Sequence, residues 1–261
     1  MKTGFLIVSF GTTHLDTLEK TIVATEDALK AAFPDAGHYR AFTSGIVRNR
    51  LKSKYDISVD SVEEALERMK ADGIQQAVIQ PTLLIPGEEY DKQRAKVLLN
   101  CGDMEVAMGL PLLWDDTDLQ AMTDILAQAY HVEEDTVLVA MGHGTEHLSN
   151  CLYVRLAERM AEKGMVLCTV EGKPSFEDAV EALKSQPKRK AHLVPLLLVA
   201  GDHSKNDMAG DEPDSLRGTL EQVGFQVDWT LQGLGELPVV QEMYVRRAVA
   251  AYSALQKRGE V

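Results

Sequence analysis

The chain has 261 residues, of which 45% are hydrophobic and 26% charged, and its formal net charge is −13 at pH 7. This composition is that of a globular protein long enough for one large or two ordinary α/β domains, and it argues against intrinsic disorder. The acidity argues against a nucleic-acid partner, because phosphate backbones are bound by clustered Lys and Arg.

The cysteines and apolar runs predict a cytoplasmic location. The cysteines, Cys101, Cys151 and Cys168, are odd in number and form no CxxC motif, which fits a reducing compartment. The N-terminal apolar run ends in a glycine turn too soon for a signal peptide. The apolar stretch 193–201 is far shorter than the roughly 20 residues that a membrane helix needs. We therefore expect no membrane partner.

In the first half of the chain, short apolar runs alternate with helical patterns. Strands are predicted at 4–9, 38–44, 75–80 and 104–109. Helices are predicted from Asp16 to Pro34, around Arg48, from Ser61 to Gly73, and over 90–100. Ser61 and Glu64 have the spacing of a capping box, and Gly73 is a typical helix stop. The third strand leads into a loop, which two prolines exclude from regular structure and which carries Glu88 and Glu89.

The second half repeats this alternation. Strands are predicted at 136–141, 165–170, 190–196 and 225–231. Helices are predicted at 115–130, 149–163, 175–186, 212–223 and 238–255. Strands that alternate with helices form parallel sheets with right-handed crossovers. We expect an α/β fold of two lobes, 1–112 and 113–261, with the last helix free to pack back on the first lobe.

The two halves also resemble each other in sequence. FLIVSFGT (5–12) aligns with VLVAMGHGT (137–145), QPTLLIPGEE (80–89) with VPLLLVAGDH (194–203), and VAMGLP (106–111) with TLQGLG (230–235). Matches in the same order predict an internal duplication, which would give two similar α/β units facing each other across a cleft. In this alignment Glu89 takes the place that His203 holds in the second half.

Three side chains with metal-binding groups follow predicted strands of the second half. His143 lies between two glycines after strand 136–141, His203 follows strand 190–196, and Glu171 follows strand 165–170. Ligands bind at the carboxyl ends of such strands. Neighbouring strands lie ~4.8 Å apart, so these side chains can converge. Two imidazoles and a carboxylate suit cobalt, iron, nickel or zinc, and without thiolates the ion would remain exchangeable.

Other motifs give weaker indications. His143 and His147 have the spacing of a metalloprotease pair, but HGTEH is not HExxH, so we reject a hydrolase. The segment Ser9-Phe10-Gly11-Thr12-Thr13 predicts an anion nest between strand and helix. The chain has no GxGxxG and no GxxxxGK[ST], so no nucleotide is expected. Glu88 and Glu89 could carry protons or merely cap the next helix.

Several motifs together resemble one known family. These motifs are SFGTTHLDT, RAFTSGIVRNRL, PGEEYDK, MGHG, PLLLVAGDHSKNDMAGD and GLGELP. Across nearly the whole chain they are similar to the anaerobic-type sirohydrochlorin cobaltochelatases, the CbiK family of class II chelatases, which are relatives of ferrochelatase.

The resemblance implies a ferrochelatase-like fold of two lobes with a cleft between them. It implies ATP-independent insertion of Co²⁺ into sirohydrochlorin, or into precorrin-2 as an alternative substrate, in anaerobic cobalamin synthesis. The family's catalytic histidine, which binds metal and accepts a proton, corresponds to His143. Its other metal-binding positions correspond to Glu171 and His203, and its conserved-loop acid corresponds to Glu89.

The substrate introduces one electrostatic requirement. Sirohydrochlorin carries several carboxylates, so this acidic protein must supply local cations, and Arg40, Arg48, Arg50 and Lys205 are candidates. Arg48 is the cation that we include in the expected substrate site. The other expected substrate-binding residues are Ser9, Phe10, Gly11, Thr12 and Glu88.

Alternatives remain open at this point. Iron insertion for sirohaem is one, because the same ligands accept Fe²⁺. A metal or tetrapyrrole carrier without catalysis is an alternative of another class. The sequence also leaves open whether the chain forms a homo-oligomer.

Overall fold

The structure is a computed structural model that describes residues 1–258. Its strands are β1 (Thr3–Ser9), β2 (Gly37–Phe42), β3 (Gln76–Pro81), β4 (Glu105–Met108), β5 (Thr136–Gly142), β6 (Val166–Thr169), β7 (Lys190–Pro195) and β8 (Gln226–Trp229). Its helices are α1 (Leu15–Leu18), α2 (Ala24–Ala32), α3 (Gly45–Tyr55), α4 (Val62–Ala71), α5 (Glu88–Asn100), α6 (Asp116–Ala129), α7 (Cys151–Glu162), α8 (Phe176–Lys184), α9 (Leu216–Gln222) and α10 (Pro238–Arg258).

The predicted strands are all present, with ends shifted by at most two residues. A π-helical segment, Glu19–Val23, joins α1 to α2 and completes the first predicted helix. Two predictions need correction. The helix predicted at 212–223 begins only at Leu216, where Ser215 caps it. Glu88 and Glu89 are not in a loop, because they are the first residues of α5.

The chain divides into two compact units. The first unit contains Met1–Leu112 and the described residues from Gly235 onward, and the second unit contains Leu113–Leu234. Each has a four-stranded parallel sheet, in the order β2-β1-β3-β4 in the first unit and β6-β5-β7-β8 in the second. The α/β fold with parallel sheets flanked by helices is therefore confirmed.

The sheet registers match the sequence duplication. Val8 pairs with Pro81 in the first sheet, and Met141 pairs with Pro195 in the second. The alignment of the two halves places Val8 on Met141 and Pro81 on Pro195. Equivalent residues therefore occupy equivalent positions at the carboxyl ends of the central strands, as an internal duplication requires.

The central strands are apolar because helices cover both of their faces. Every residue of β3 and β5 is buried, whereas the edge strands β4 and β8 are partly exposed. Parallel strands buried on both faces read as continuous apolar runs rather than alternating patterns. This explains why the central strands appear in the sequence as short apolar runs.

The last helix packs on the first sheet. Ala248, Ala251 and Leu255 of α10 share a buried cluster with Phe5 and Ile7 of β1. The chain therefore returns to complete the core of the first unit after it has built the second. Within residues 1–258, no helix combines the length and apolar character needed to cross a membrane.

Candidate functional site

His143 lies on a tight loop after β5 that only glycine can form. Gly144 has φ +79°, and a Cβ there would lie 2.7 Å from the backbone nitrogen of Gly172. A Cβ on Gly142 would lie 2.7 Å from Cε1 of Tyr153. Glycine has no Cβ, so it fits such approaches and adopts positive φ without strain. The GHG motif thus turns the chain immediately after the strand.

Tyr153 of α7 packs against the start of this loop. The residue is buried, and burial raises its pKa to about 12. The phenol therefore stays neutral at physiological pH. Its ring packs against the backbone at Gly142, where the loop that carries His143 begins.

His203 is held by a helix rather than by a strand end. β7 ends at Pro195, and His203 lies further along the chain, just before the π-helical segment Ser204–Met208, so a helical segment that we had not predicted carries this side chain. Its Nδ1 is 2.8 Å from Oδ2 of Asp207, one turn further along. The sequence HSKND places these side chains on one face only if the segment is helical.

The two imidazoles lie together in the second unit. The ring centroids of His143 and His203 are 4.7 Å apart, with an interplanar angle of 85°. Two imidazoles bound to one ion at metal–nitrogen distances of about 2.1 Å have centroids roughly 5 Å apart. Each side chain is 43% exposed, so an ion from solvent can reach both.

Hydrogen bonds also fix which ring nitrogen can bind a metal. Nδ1 of His143 is 3.1 Å from the carbonyl oxygen of Gly144, which can only accept. Nδ1 of His203 faces the Asp207 carboxylate, which also accepts when ionised. Both rings therefore carry their proton on Nδ1, and Nε2 retains the lone pair that coordinates a cation.

Glu171 lies close to His143, but on its Nδ1 side. Its backbone N–H donates to the carbonyl oxygen of His143 at 2.8 Å, and its Oε2 is 3.7 Å from Nδ1 of that ring. Its side chain is 59% exposed and thus has room to rotate. Among residues 1–258, no group of three or more His, Cys, Asp or Glu side chains is already arranged around one metal position. The structure thus brings together two of the three predicted ligands.

The segment at the end of β1 and in the loop after it has both buried and exposed side chains. Ser9 is buried and its hydroxyl accepts from Thr82 at 2.8 Å. Thr12 is also buried and accepts from the backbone N–H of His14. Phe10, in contrast, is 55% exposed. Of the residues predicted for substrate binding in this segment, Phe10 has the side chain that is available to a ligand.

Gly11 allows this loop to pass beside the ring of Phe42. Its φ is +97°, and a Cβ there would lie 2.6 Å from Cδ2 of Phe42. Positive φ and this close approach both require glycine. Gly11 is therefore necessary for the turn itself, whatever the loop binds.

The two glutamates of the first unit lie on the first turn of α5. Lys92 is 2.9 Å from Oε1 of Glu88 and 3.7 Å from Oε1 of Glu89. Carboxylates are favourable at a helix N-terminus, so capping accounts for part of their placement. Both side chains are exposed and able to exchange protons with a ligand or water.

The candidate cations differ in their availability. Arg40 binds Glu26, and this hydrogen bond raises the pKa of Arg40 further above its usual value, so it is committed to a buried carboxylate. Arg48 Nη1 is 3.3 Å from Oε2 of Glu64, and its Nε is buried without a protein partner among the described residues. Arg50 is exposed.

Two supporting residues were missed by sequence reasoning. Asp207 had a readable signal, the HxxxD spacing, but that signal requires the helical segment that we had not predicted. Tyr153 had none, because its contact with Gly142 links separate elements. Asp207 contacts the imidazole of His203, and Tyr153 contacts the backbone at Gly142, one residue before His143.

Comparisons with known proteins identify the family of this chain. The family model described as cobalt chelatase (CbiK) matches residues 3–253. A sirohydrochlorin cobaltochelatase of Salmonella typhimurium is 36% identical over 249 residues, which cover 94% of each chain. The sirohydrochlorin cobaltochelatase CbiKC of Nitratidesulfovibrio vulgaris is 30% identical over 261 residues, covering 97% of this chain and 92% of that protein.

Solved structures show the same fold at low identity. SirB from Bacillus subtilis with Fe³⁺ gives a TM-score of 0.67 at 15% identity, covering 96% of both chains. The sirohydrochlorin chelatase SirB from Bacillus subtilis subspecies spizizenii, in complex with cobalt, gives 0.63 at 15% identity, covering 96% of this chain and 95% of that one. These matches confirm the chelatase fold.

Proposed function

Because the chain belongs to the cobalt chelatase (CbiK) family, we propose that it inserts Co²⁺ into sirohydrochlorin without ATP, in anaerobic cobalamin synthesis. The observation that carries this proposal is the exposed pair of His143 and His203, whose ring centroids are 4.7 Å apart. The relatives named sirohydrochlorin cobaltochelatase support the substrate. Three free cysteines support a reducing, cytoplasmic setting.

In the proposed reaction, Co²⁺ is a substrate that the protein holds only briefly. Nε2 of His143 and of His203 bind the ion, and Glu171 joins them after its side chain rotates. Imidazole and carboxylate donors bind first-row divalent cations without the thiolates that favour permanent sites. Partial loss of the hydration shell at this site prepares the ion for transfer to the macrocycle nitrogens.

Insertion also requires two proton acceptors. The ion replaces the hydrogens of two pyrrole N–H groups, so two protons leave for each Co²⁺ that enters. His143 accepts one after the metal has left its Nε2, since imidazole exchanges protons near neutral pH. We assign the second to Glu89, whose exposed carboxylate can pass the proton to solvent.

Binding of the macrocycle is assigned to residues of the first unit. The exposed ring of Phe10 offers an apolar contact for a tetrapyrrole face, and Ser9, Gly11 and Thr12 hold its loop in place. Arg48 is the proposed partner of a substrate carboxylate, which would take it from its 3.3 Å contact with Glu64. Glu88 would act beside Glu89 through its pairing with Lys92.

The test is metal insertion followed by the absorbance of sirohydrochlorin, with Co²⁺ and then with Fe²⁺ and without nucleotide. We expect many turnovers with Co²⁺, and a His143→Ala variant that loses insertion. His131→Ala is the matched control, because this histidine is exposed and lies outside the site. Wild-type rates in the His143 variant would count against the assignment.

The same assay separates an enzyme from a carrier. For an enzyme, Glu89→Ala lowers turnover strongly while Co²⁺ and sirohydrochlorin still bind. For a carrier, binding is unchanged and neither protein shows more than one insertion per chain. Faster insertion of Fe²⁺ than of Co²⁺ by the wild type would favour a role in sirohaem synthesis instead.

A further inference from the structure

Asn150 joins the two loops that carry His143 and Glu171. It lies just before α7, and its side-chain Oδ1 accepts from the backbone N–H of Thr145 at 3.2 Å. Its Nδ2 donates to the carbonyl oxygen of Lys173 at 2.9 Å. Thr145 lies two residues after His143. Lys173 likewise lies two residues after Glu171. One side-chain amide therefore connects the loop after β5 with the loop after β6.

This connection lies beyond the end of the strand pairing. The last paired residues of β5 and β6 are Gly142 and Thr169. The backbone N–H of Glu171 then donates to the carbonyl oxygen of His143 at 2.8 Å. Asn150 adds the next contact outward, and its orientation is unambiguous. A backbone N–H can only donate and a carbonyl oxygen can only accept, so a flipped amide would lose both hydrogen bonds.

The two loops also pack closely at Gly172, which lies between Glu171 and Lys173. A Cβ there would clash with Oδ1 of Asn150 and would lie 2.9 Å from the backbone nitrogen of Thr145. A side chain at this position would therefore push apart the hydrogen-bonded amide and its backbone donor. Glycine allows the loop after β6 to lie directly against this contact.

We propose that Asn150 is a positioning residue, which holds the loop of Glu171 against the loop of His143 so that the carboxylate can reach the ion on the two histidines. This proposal rests on the proposed function, because it takes Glu171 as the third ligand of Co²⁺. Oε2 of Glu171 is 3.7 Å from Nδ1 of His143, so the side chain must rotate to reach the metal. A fixed loop leaves only side-chain torsions to be ordered, which lowers the entropic cost of that step.

The test is a double-mutant cycle of Asn150→Ala and Glu171→Ala, with the Kd for Co²⁺ measured by competition titration. Loss of residues that orient metal ligands typically weakens metal affinity by about 10–100-fold. We expect Asn150→Ala to raise the Kd about tenfold in the otherwise wild-type chain, but less than about twofold in the Glu171→Ala chain. An equal rise in both backgrounds would overturn the proposal, because the amide would then act without the carboxylate.

Turnover provides a second readout, which a general loss of stability would not reproduce. In Asn150→Ala the KM for Co²⁺ should rise, and the KM for sirohydrochlorin should change less than about twofold. The matched control is Asn100→Ala, which also removes an amide bound to backbone, since Nδ2 of Asn100 donates to the carbonyl oxygen of Lys96 at 2.7 Å within α5. Equal rises in both KM values, or an equal loss of Co²⁺ affinity in the control, would overturn the proposal.

Gly172→Ala disturbs the same contact from the other loop, so it keeps the test decisive if Asn150→Ala fails to fold. We expect a similar rise in the Kd for Co²⁺, and an unchanged Kd would overturn the proposal. His143→Ala tests the proposed function separately. If it loses Co²⁺ binding while Glu171→Ala binds normally, the positioning role is wrong and the histidine pair stands. If His143→Ala binds Co²⁺ normally, the proposed ligand assignment itself is wrong.

Discussion

At the scale of single residues, Asp207 has a defined task beside the candidate site. Its Oδ2 is 2.8 Å from Nδ1 of His203, so it selects the tautomer with the lone pair on Nε2. We expect Asp207→Ala to weaken Co²⁺ binding by about tenfold or more. The measurement is the Kd for Co²⁺ from a competition titration.

A matched His–Asp pair elsewhere in the second unit provides the control. Oδ1 of Asp228 is 2.6 Å from Nδ1 of His192, and this pair bridges β7 and β8. Asp228→Ala should leave Co²⁺ affinity unchanged, because His192 is not one of the proposed ligands. If both variants weaken binding equally, the effect of Asp207 comes from general instability and not from orienting His203.

Arg40 has a structural role that the sequence did not indicate. It binds Glu26, whose side chain is 3% exposed, whereas the Arg40 side chain is 31% exposed. Arg40→Ala leaves a buried carboxylate without its partner, and we expect the free energy of unfolding to fall by about 1–3 kcal/mol, since partial exposure screens the pair. Arg68→Ala, which removes an exposed guanidinium from its contact with Asp60, should leave the free energy of unfolding nearly unchanged. Urea titration compares the two, and equal losses would contradict this account.

At this scale the sequence revealed residues that are marked by the segment in which they lie. It did not reveal residues whose role depends on a contact with another element. His143 and His203 could be singled out because each follows an apolar run. Arg40 could not be distinguished from Arg48, because the buried partner of Arg40 lies on another element. Tyr153 remained hidden for the same reason.

At the scale of elements, the loop after β5 is the part with the strictest backbone requirements. Gly144 combines φ +79° with a 2.7 Å approach to the backbone of Gly172, which cannot move aside easily. A left-handed residue with a Cβ costs about 1–2 kcal/mol, and the contact adds to this. We expect Gly144→Ala to lower the free energy of unfolding by more than about 2 kcal/mol and to abolish Co²⁺ insertion.

A substitution at Gly164 separates the conformational cost of a positive φ from the cost of the steric contact. Its φ is +71°, but a Cβ there would meet no atom within 4 Å. Gly164→Ala should therefore cost only the conformational term of about 1–2 kcal/mol and leave insertion intact. Equal destabilisation in the two variants, measured by urea unfolding, would show that the contact with Gly172 is unimportant.

Strands were easier to predict than the segments after them. β1, β3 and β5 are buried on both faces, and β7 is buried over its last three residues, so their apolar runs were visible in the sequence. The structure of the segment after β7 could not be predicted from the sequence. Residues 196–201 are apolar without forming a strand, and the helical turn at His203 begins without a recognisable cap. Likewise, Gly87 rather than a polar cap precedes α5, so Glu88 and Glu89 were expected in a loop.

At the scale of the whole molecule, the two units repeat one sheet order. Val8 and Met141 occupy equivalent registers beside Pro81 and Pro195, yet only the second unit carries the two histidines. The fold class and the duplication were predictable from repeated patterns. The return of α10 to the first unit was left open, because helical periodicity shows that one face is buried and not which surface buries it.

The packing of α10 in the first unit leads to a prediction about stability. Leu255 of α10 is fully buried in the cluster with Phe5 and Ile7. We expect Leu255→Ala to lower the free energy of unfolding by about 2–5 kcal/mol through lost apolar burial and a residual cavity. Leu99→Ala, at a side chain on α5 that is 83% exposed, should change it by less than about 0.5 kcal/mol. Similar urea midpoints for the two variants would contradict the packing of α10 described above.

The most direct measurement of the central claim is X-ray absorption at the cobalt edge of the Co²⁺-loaded protein, with His143→Ala and His203→Ala as comparisons. We predict two imidazole nitrogens at about 2.0–2.1 Å together with oxygen donors, and the loss of one imidazole from the spectrum in each variant. Sulfur donors in the wild type, or unchanged imidazole coordination in both variants, would contradict the claim that these two histidines hold the metal.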